Sequence, residues 1–168
     1  MKRKARFATI LLTKVFHRQV YMMTPIRRAT QEDCGRIAEI EIFNYRLNFY
    51  PIFRNDDFYF NELQVCSRIK HFEQALDTLW VYDDGAVKGF IQVAQGEVQK
   101  LFVEPVLQGQ SIGAALLEYA IAELGATFLW ALEKNQRAIA FYRRHGFHVT
   151  ADRKPEEDTE EYLVRLER

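Results

Sequence analysis

The chain has 168 residues, of which 48% are hydrophobic and 14% aromatic, so it fits one domain with a substantial core and is too apolar for a disordered protein. Its 23 basic and 23 acidic residues balance, but six basic residues and no acid lie in the first 22 positions, so the remainder is net acidic and gives no overall-charge signal for nucleic acid. Two cysteines without a CxxC spacing, Cys34 and Cys66, predict reduced thiols in a cytoplasmic protein rather than a secreted disulfide framework.

The basic segment 1–22 is expected to be an N-terminal extension or an upstream read-in, because Met22 and Met23 stand directly before the first strand signal. Its apolar run is short and Lys14 follows at once, and no stretch approaches the ~20 apolar residues that a membrane-spanning helix needs. A surface-binding arm and a targeting segment are the alternatives. One domain is expected over residues 23–168.

The first half of the chain predicts a strand, two helices and three strands. Residues 25–29 are typical of a short strand, and Thr30, with an acid three positions on, begins a helix that should stop before Pro51. The aromatic run 45–60 either lines a substrate pocket or fills the core. A second helix is predicted over 56–76. Strands are predicted over 79–82, 87–94 and 97–103.

The second half of the chain alternates helices and strands. A glycine-bearing turn leads into an apolar helix that ends at Gly125. A strand over 127–132 is followed by a helix that Asn135 opens and Gly146 closes, and two final strands follow. Together these elements predict one α/β domain, with a mixed, mostly antiparallel sheet of about seven strands flanked by about four helices.

The strand-to-helix turn within residues 101–117 predicts an anion site. The first N–H groups of a helix lack intrahelical partners, and the helix dipole places partial positive charge there. Gly109 and Gly113 carry no Cβ, so a phosphate can approach the backbone. Ser111 lies between them, and a serine fits there without strain only with a negative φ. An ordinary strand-to-helix turn is the alternative.

A second motif, Asn135-Gln-Arg-Ala-Ile-Ala-Phe-Tyr-Arg-Arg-His-Gly-Phe147, is more specific. With Gln108-Gly-Gln-Ser-Ile-Gly113 and the order of elements, it resembles the GNAT superfamily of acyl-CoA-dependent N-acetyltransferases over about residues 24–168. The family patterns are Arg/Gln-x-x-Gly-x-Gly/Ala and Asn-x-x-Ala-x-x-Phe-Tyr-x-x-x-Gly-Phe. Ser111 departs from the first pattern, where the family usually has a glycine.

This resemblance implies direct transfer of an acetyl group from acetyl-CoA to a primary amine, without an acyl-enzyme. It implies that loop amides hold the cofactor pyrophosphate and that a strand edge pairs with the pantetheine arm. The cofactor-binding residues that it implies are Leu101, Phe102, Val103, Gln108, Gly109, Gln110, Ser111, Ile112, Gly113, Ala114, Asn135 and Tyr142.

Two of these residues have more than one interpretation. Asn135 caps its helix, holds the pantetheine arm, or does both. By resemblance, Tyr142 protonates the departing thiolate, and general acid catalysis of this kind contributes typically about 10²–10⁴-fold. The alternative for Tyr142 is a packing aromatic.

The general base is less well defined by the sequence. The amine must be neutral to attack, so some group accepts its proton, directly or through water. Some relatives place a glutamate five residues before the asparagine, where this chain has Trp130. Glu97 is the first candidate, since two-residue alternation would put it on the same face as Leu101 and Val103. Glu41 is the second, and a solvated carboxylate is the alternative for each.

The expected partner is a small-molecule or peptide amine, with no nucleic acid and no membrane, and a homodimer is left open. No metal is expected, because the four histidines show no ligand spacing. A non-catalytic acyl-CoA-binding or sensing module is the rival interpretation. The acceptor amine is not predicted, because residues 43–60 and the last hairpin, which would form its pocket, lie outside the motifs.

Overall fold

The computed structural model describes residues 25–168, and seven strands in this range form a single sheet. The strands are β1 (Ile26–Arg28), β2 (Leu79–Asp83), β3 (Val87–Ala94), β4 (Glu97–Val103), β5 (Phe128–Leu132), β6 (His148–Pro155) and β7 (Tyr162–Glu167). Their order across the sheet is β1-β2-β3-β4-β5-β7-β6, and among these strands only β4 and β5 pair in parallel. The predicted mixed, mostly antiparallel sheet is confirmed.

Four longer α-helices flank this sheet. They are α1 (Cys34–Asn44), α2 (Val65–Glu73), α3 (Ile112–Glu123) and α4 (Gln136–Arg144). Helices α1 and α2 share a core with Phe90 of β3, whereas α3 and α4 share a core with the next residue, Ile91. Because successive side chains of a strand point to opposite faces, the two helix pairs cover opposite sides of the sheet.

The first helix does not stop before Pro51, so that prediction is wrong. After α1 the chain continues through a π-helical turn, Tyr45–Phe49, and one more α-helical turn, Tyr50–Phe53. Pro51 stands in the first turn of this last piece, the part of an α-helix that best tolerates a residue without an N–H. Arg54, with a φ of 50°, then ends the helix in the left-handed region.

The helix predicted over 56–76 is divided into a π-helical piece, Asp57–Glu62, and α2. The break lies at Leu63, whose backbone leaves the helical region with a ψ of 73°. Leu63 and Tyr59 are buried together in a small third core that the aromatic run completes. Leu63 is buried in this third core, whereas Phe72 of α2 is buried in the core shared with α1, and one straight helix would turn these two side chains to opposite faces.

A β-bulge interrupts the pairing of β3 with β4. Gln92 lies opposite Lys100 and Val93 lies opposite Val98, so Gln99 is an extra residue on β4. A bulge of this kind bends a strand and re-aims the side chains beyond it. The regular alternation assumed from the sequence therefore does not extend through β4.

The bulge decides where Glu97 points. Val98, before the bulge, and Leu101 and Val103, after it, all pack on the α3 side, while Phe102 packs on the α1 side. Glu97 precedes Val98 and so faces the α1 side. The prediction that Glu97 shares a face with Leu101 and Val103 is therefore wrong.

Three further sequence-based predictions concern membrane-spanning helices, segment 1–22 and the two cysteines. No helix within residues 25–168 is both long and apolar enough to cross a bilayer. The predictions for segment 1–22 fall outside the described residues. Cys34 is buried, whereas Cys66 is exposed.

Candidate active site

Strands β4 and β5 separate after two residue pairs, Glu97 with Phe128 and Val98 with Leu129. A cavity of about 410 Å³, here called the first cavity, opens beside the unpaired part of β4. Of the cofactor-binding residues predicted from the sequence, the cavity is lined by Leu101, Phe102, Val103, Gln108, Gly109, Ser111, Ile112, Gly113, Ala114, Asn135 and Tyr142. Gln110 is exposed and does not line it.

The backbone of β4 presents an open edge to the first cavity. The Val103 carbonyl points away from β3 and accepts a hydrogen bond from Asn44 Nδ2 at 2.9 Å. The N–H of the next residue, Glu104, donates to the carbonyl of Lys88 in β3 at 2.8 Å. Since backbone groups alternate along a strand, the N–H groups of Leu101 and Val103 point towards the cavity. The backbone groups of Phe102 point to β3, so only its side chain lines the cavity.

The turn before α3 has two residues in the left-handed region, Gly109 with a φ of 85° and Ser111 with a φ of 63°. A Cβ on Gly109 would meet nothing within 4 Å, and one on Gly113 would lie 3.5 Å from Val103 Cγ2, an ordinary contact. Gly113 therefore packs against Val103 and Phe141, whereas the protein leaves open space beside Gly109. This is the space that a ligand needs to reach the free N–H groups of the turn and of the first turn of α3.

Ser111 does not have the negative φ that would have accommodated a serine without strain. A non-glycine residue in the left-handed region costs about 1–2 kcal/mol. The Ser111 carbonyl accepts the N–H of Ala115 at 2.9 Å, which fixes this residue as the N-cap of α3. The structure thus holds a strained residue at the centre of the predicted anion site.

Asn44, at the end of α1, is a buried residue with several side-chain hydrogen bonds, and the sequence did not identify it as a site residue. Besides its bond to Val103, Nδ2 donates to the Ile40 carbonyl at 2.8 Å. Its Oδ1 accepts from Gln108 Nε2 at 3.0 Å and from Asn48 Nδ2 at 3.2 Å. One side chain therefore joins α1, the end of β4 and the first residue of the glycine turn.

A sequence signal for Asn44 did exist. It lies at helical spacing from Ile37 and Ile40, which are buried, so it is a polar residue on the apolar stripe of α1. A buried amide is retained where its hydrogen bonds are satisfied. Its partners are up to 64 residues away in the chain and could not be read from the sequence.

Asn135 is the N-cap of α4. Its Oδ1 accepts the N–H of Ala138 at 3.1 Å, which confirms the capping interpretation. Within residues 25–168, Nδ2 has no hydrogen-bond acceptor. The cap and a role in holding a ligand are therefore compatible.

Tyr142 lies on α4, two turns after Asn135, and its ring packs against Phe141 and Phe147 with centroid distances of 5.3 and 6.0 Å. Burial raises the pKa of its hydroxyl above the ordinary value. The hydroxyl is therefore protonated at neutral pH and is able to donate.

A second cavity, of about 320 Å³, lies on the other side of the gap between β4 and β5. The residues that line both cavities are Phe49, Leu101, Phe102, Asn135, Ala138 and Tyr142. Aromatic side chains from the run 45–60 line the second cavity and also pack in the third core, so the core interpretation holds, and the substrate-pocket interpretation remains a prediction. A group bound in one cavity would meet a group bound in the other beside Tyr142.

The two candidate bases have different surroundings. Glu97 lines the second cavity, as does Tyr142. Glu41 is fully buried, and its carboxylate accepts from Arg68 Nε at 2.6 Å and from Lys100 Nζ. Arg68 and Lys100 occupy both oxygens of Glu41, and Glu41 lines neither cavity, which argues against proton transfer by this residue.

Glu156 also lines the second cavity and was not identified from the sequence. Burial is the main cause that raises the pKa of its carboxyl group. In the sequence it is one of several acids in the loop before β7, and nothing local distinguishes it from Glu157. Its position depends on the docking of the β6–β7 hairpin against the rest of the sheet.

A metal centre finds no support in the described part of the chain. Residues 25–168 contain no group of three or more His, Cys, Asp or Glu side chains that could hold a metal ion. The chemistry of the site is therefore considered in terms of its hydrogen-bond donors, carboxylates and backbone groups.

Comparisons with known proteins agree with this architecture. The family model described as an acetyltransferase (GNAT) domain matches residues 75–149. An uncharacterised N-acetyltransferase of Archaeoglobus fulgidus is 31% identical in an alignment of 153 residues. That alignment covers 78% of this chain and 94% of that protein. Peptidyl-lysine N-acetyltransferase YiaC of Escherichia coli is 36% identical over 72 residues, or 42% of this chain and 49% of that protein. The matched part of the chain thus spans about half the length of YiaC.

Solved structures with a similar fold have low sequence identity. An N-acetyltransferase of Thermoplasma acidophilum in complex with coenzyme A has a TM-score of 0.66 at 17% identity, covering 85% of this chain and 98% of that one. The yncA protein of Salmonella typhimurium with acetyl-CoA has a TM-score of 0.63 at 24% identity, covering 85% and 91%. These likenesses establish the fold.

Proposed function

Because the chain belongs to the GNAT superfamily of N-acetyltransferases, we propose that it transfers an acetyl group from acetyl-CoA to a primary amine by direct attack. One observation carries the proposal: two cavities on either side of the gap between β4 and β5 meet at Tyr142. The first cavity takes the cofactor and the second takes the amine. Their junction is where the reacting atoms come together.

The first cavity fits acetyl-CoA. The backbone N–H groups of the glycine turn and the start of α3 hold the pyrophosphate, and each such contact is worth about 0.3–1 kcal/mol, up to about 2 when partly buried. The N–H groups of Leu101 and Val103 pair with the amides of the pantetheine arm, as a neighbouring strand would. Asn135 Nδ2 is available to the same arm. Phe102 contributes only its side chain to the first cavity, and Gln110 does not line the cavity.

Two side chains handle protons. When bound, acetyl-CoA supplies the thioester that the amine attacks. Glu97 takes a proton from the amine, directly or through water, as the C–N bond forms. Tyr142 gives its hydroxyl proton to the sulfur as the C–S bond breaks, and solvent restores it. Because burial raises the pKa of Tyr142, its proton is retained across neutral pH.

The proposal is tested by thiol release from acetyl-CoA over a panel of primary amines. We expect Tyr142→Phe to lower kcat by about 10²–10⁴-fold, as loss of a general acid does, and to change the calorimetric Kd for coenzyme A much less, because phenylalanine keeps the ring that lines the first cavity. Tyr162→Phe is the matched control, because Tyr162 is an exposed tyrosine on β7.

Tight coenzyme A binding without thiol release for any amine would contradict the enzyme and support a non-catalytic acyl-CoA-binding module. Unchanged turnover in Tyr142→Phe would contradict its role as the acid.

A further inference from the structure

The second cavity holds two carboxylates without counter-ions. Glu97 and Glu156 both line it and are half-buried. Neither forms an ion pair with another residue in the range 25–168. Partly desolvated carboxylates are normally paired or hydrogen-bonded, so this arrangement favours a positively charged ligand.

The two cations in the cavity wall already have partners. Lys100 donates to the fully buried Glu41, which it shares with Arg68. Lys154 Nζ lies over the ring of Trp130, 4.4 Å from the centroid. Neither ammonium group is within ion-pair distance of Glu97 or Glu156. Lys154 acts on Glu156 only from beyond ion-pair distance, so neither carboxylate has a direct cationic partner in the described part of the chain.

The remaining wall is aromatic and comes from the helical extension of α1 and from β5. Tyr45, Phe49, Phe53 and Trp130 line the cavity, and the rings of Tyr45 and Phe49 lie 5.2 Å apart. Such rings bury the methylene groups of an unbranched chain and attract a cationic head over their faces. A negatively charged acceptor would meet the two carboxylates, and the cations of the wall, Lys100 and Lys154, already interact with Glu41 and Trp130.

We propose that the acceptor is a primary alkylammonium at the end of an unbranched chain, recognised by Glu156 and the aromatic walls. This inference rests on the proposed function, because it assigns the second cavity to the acceptor. Glu156 binds the cation. Glu97 takes one proton from the ammonium to leave the neutral amine and passes it to solvent, and it takes the second proton as the C–N bond forms. The chemistry is shared by the side chain of a lysine in a peptide and by a free alkylamine.

The binding test needs no turnover. One peptide is prepared with lysine, trimethyl-lysine or norleucine at the same position and titrated calorimetrically into the protein with coenzyme A; pentyltrimethylammonium represents a free amine. We expect the trimethyl-lysine peptide to bind at least about tenfold more tightly than the norleucine peptide, a preference that Glu156→Gln removes and Glu157→Gln keeps. Glu157 is the exposed neighbouring acid.

Equal binding of the charged and neutral peptides, or a preference that survives Glu156→Gln, would overturn the inference. If the free cation binds with the same dependence on Glu156 but the peptide does not, the source is a small amine. In turnover, an alkylamine should exceed 4-methylaniline, which is neutral at pH 7, in kcat/KM. Thiol release with arylamines, together with no preference for the cationic peptide, would contradict this inference but leave the proposed function intact. A preference for the cationic peptide without turnover of any amine would contradict the proposed function but leave the binding inference intact.

Discussion

At the scale of single residues, Asn44 is the side chain on which the site geometry depends most. It is 2% exposed and makes four hydrogen bonds, which connect the end of β4 with the glycine turn. A buried amide in such a network leaves several groups unpaired when it is removed. We therefore propose Asn44 as a positioning residue, which would act on a bound cofactor through Gln108 and Val103.

We expect Asn44→Ala to lower the free energy of unfolding by about 1–3 kcal/mol, the cost of leaving buried polar groups unpaired, and to weaken coenzyme A binding at least about tenfold. Urea unfolding and calorimetry measure the two effects. Asn48→Ala, which removes only the 3.2 Å bond to Asn44, should have a smaller effect on both. An unchanged Kd for coenzyme A in a folded Asn44→Ala variant would contradict the positioning role.

Ser111 is the second informative residue, since its left-handed backbone is strained. Replacement by glycine removes about 1–2 kcal/mol of strain but adds about 0.4–1 kcal/mol of unfolded-state entropy. We therefore expect Ser111→Gly to leave the free energy of unfolding unchanged or to raise it slightly in urea titrations. Ser67→Gly, in the first turn of α2, should instead lower it by about 0.5 kcal/mol or more, since glycine is a poor helix former and the hydroxyl bond to the Gln64 carbonyl is lost as well. A clear loss of stability in Ser111→Gly would show that its side chain stabilises the turn.

At the scale of elements, one ion cluster joins β1, the start of α1 and β2. Arg27 donates to Asp33 at 2.7 Å and to Asp83 at 2.8 Å. The hydrogen bond from Arg27, with bonds from Thr30 and against the opposing effect of burial, lowers the pKa of Asp33 to about 2. Asp33 also accepts the N–H of Thr30 at 2.8 Å, as the capping prediction required.

This cluster makes stability depend on pH. A carboxyl group with a lower pKa in the folded state stabilises the fold above about pH 4, and this contribution is lost as the pH falls towards 2. We expect Asp33→Asn to cost about 1–2 kcal/mol at pH 7, since Arg27 is 41% exposed and partly screened, and less at pH 2.5. Urea unfolding at both values measures this, with Asp77→Asn in an exposed pair as control. An equal loss at both values would contradict the assignment.

Also at this scale, the bulge at Gln99 shows where pattern-based prediction fails. Strand β4 was correctly placed, because its alternation of apolar and polar residues is local. The extra residue depends on pairing with β3, which the sequence of β4 does not contain. For this reason the predicted side of the sheet for Glu97 was wrong. The assignment of Glu97 as the general base remains a prediction.

At the scale of the whole molecule, the order of elements was predictable because each has a local signal, such as the period of α3 or the glycine after α4. The two cofactor motifs were predictable for the same reason, since each begins a helix. The helical extension past Pro51 and the break at Leu63 were not, because packing of the aromatic run decides them. Asn44 and Glu156 were missed because their roles arise from contacts between distant segments.

The early separation of β4 and β5 also has a consequence for solubility. An unpaired strand edge is a template on which another chain can add a strand and begin an aggregate. Here the open stretch is only a few residues long and lies inside a cavity walled by α3, α4 and the end of α1. A second polypeptide strand would have to bring its side chains between these helices to pair with this edge. The recess therefore protects from other proteins the same edge that it offers to a ligand.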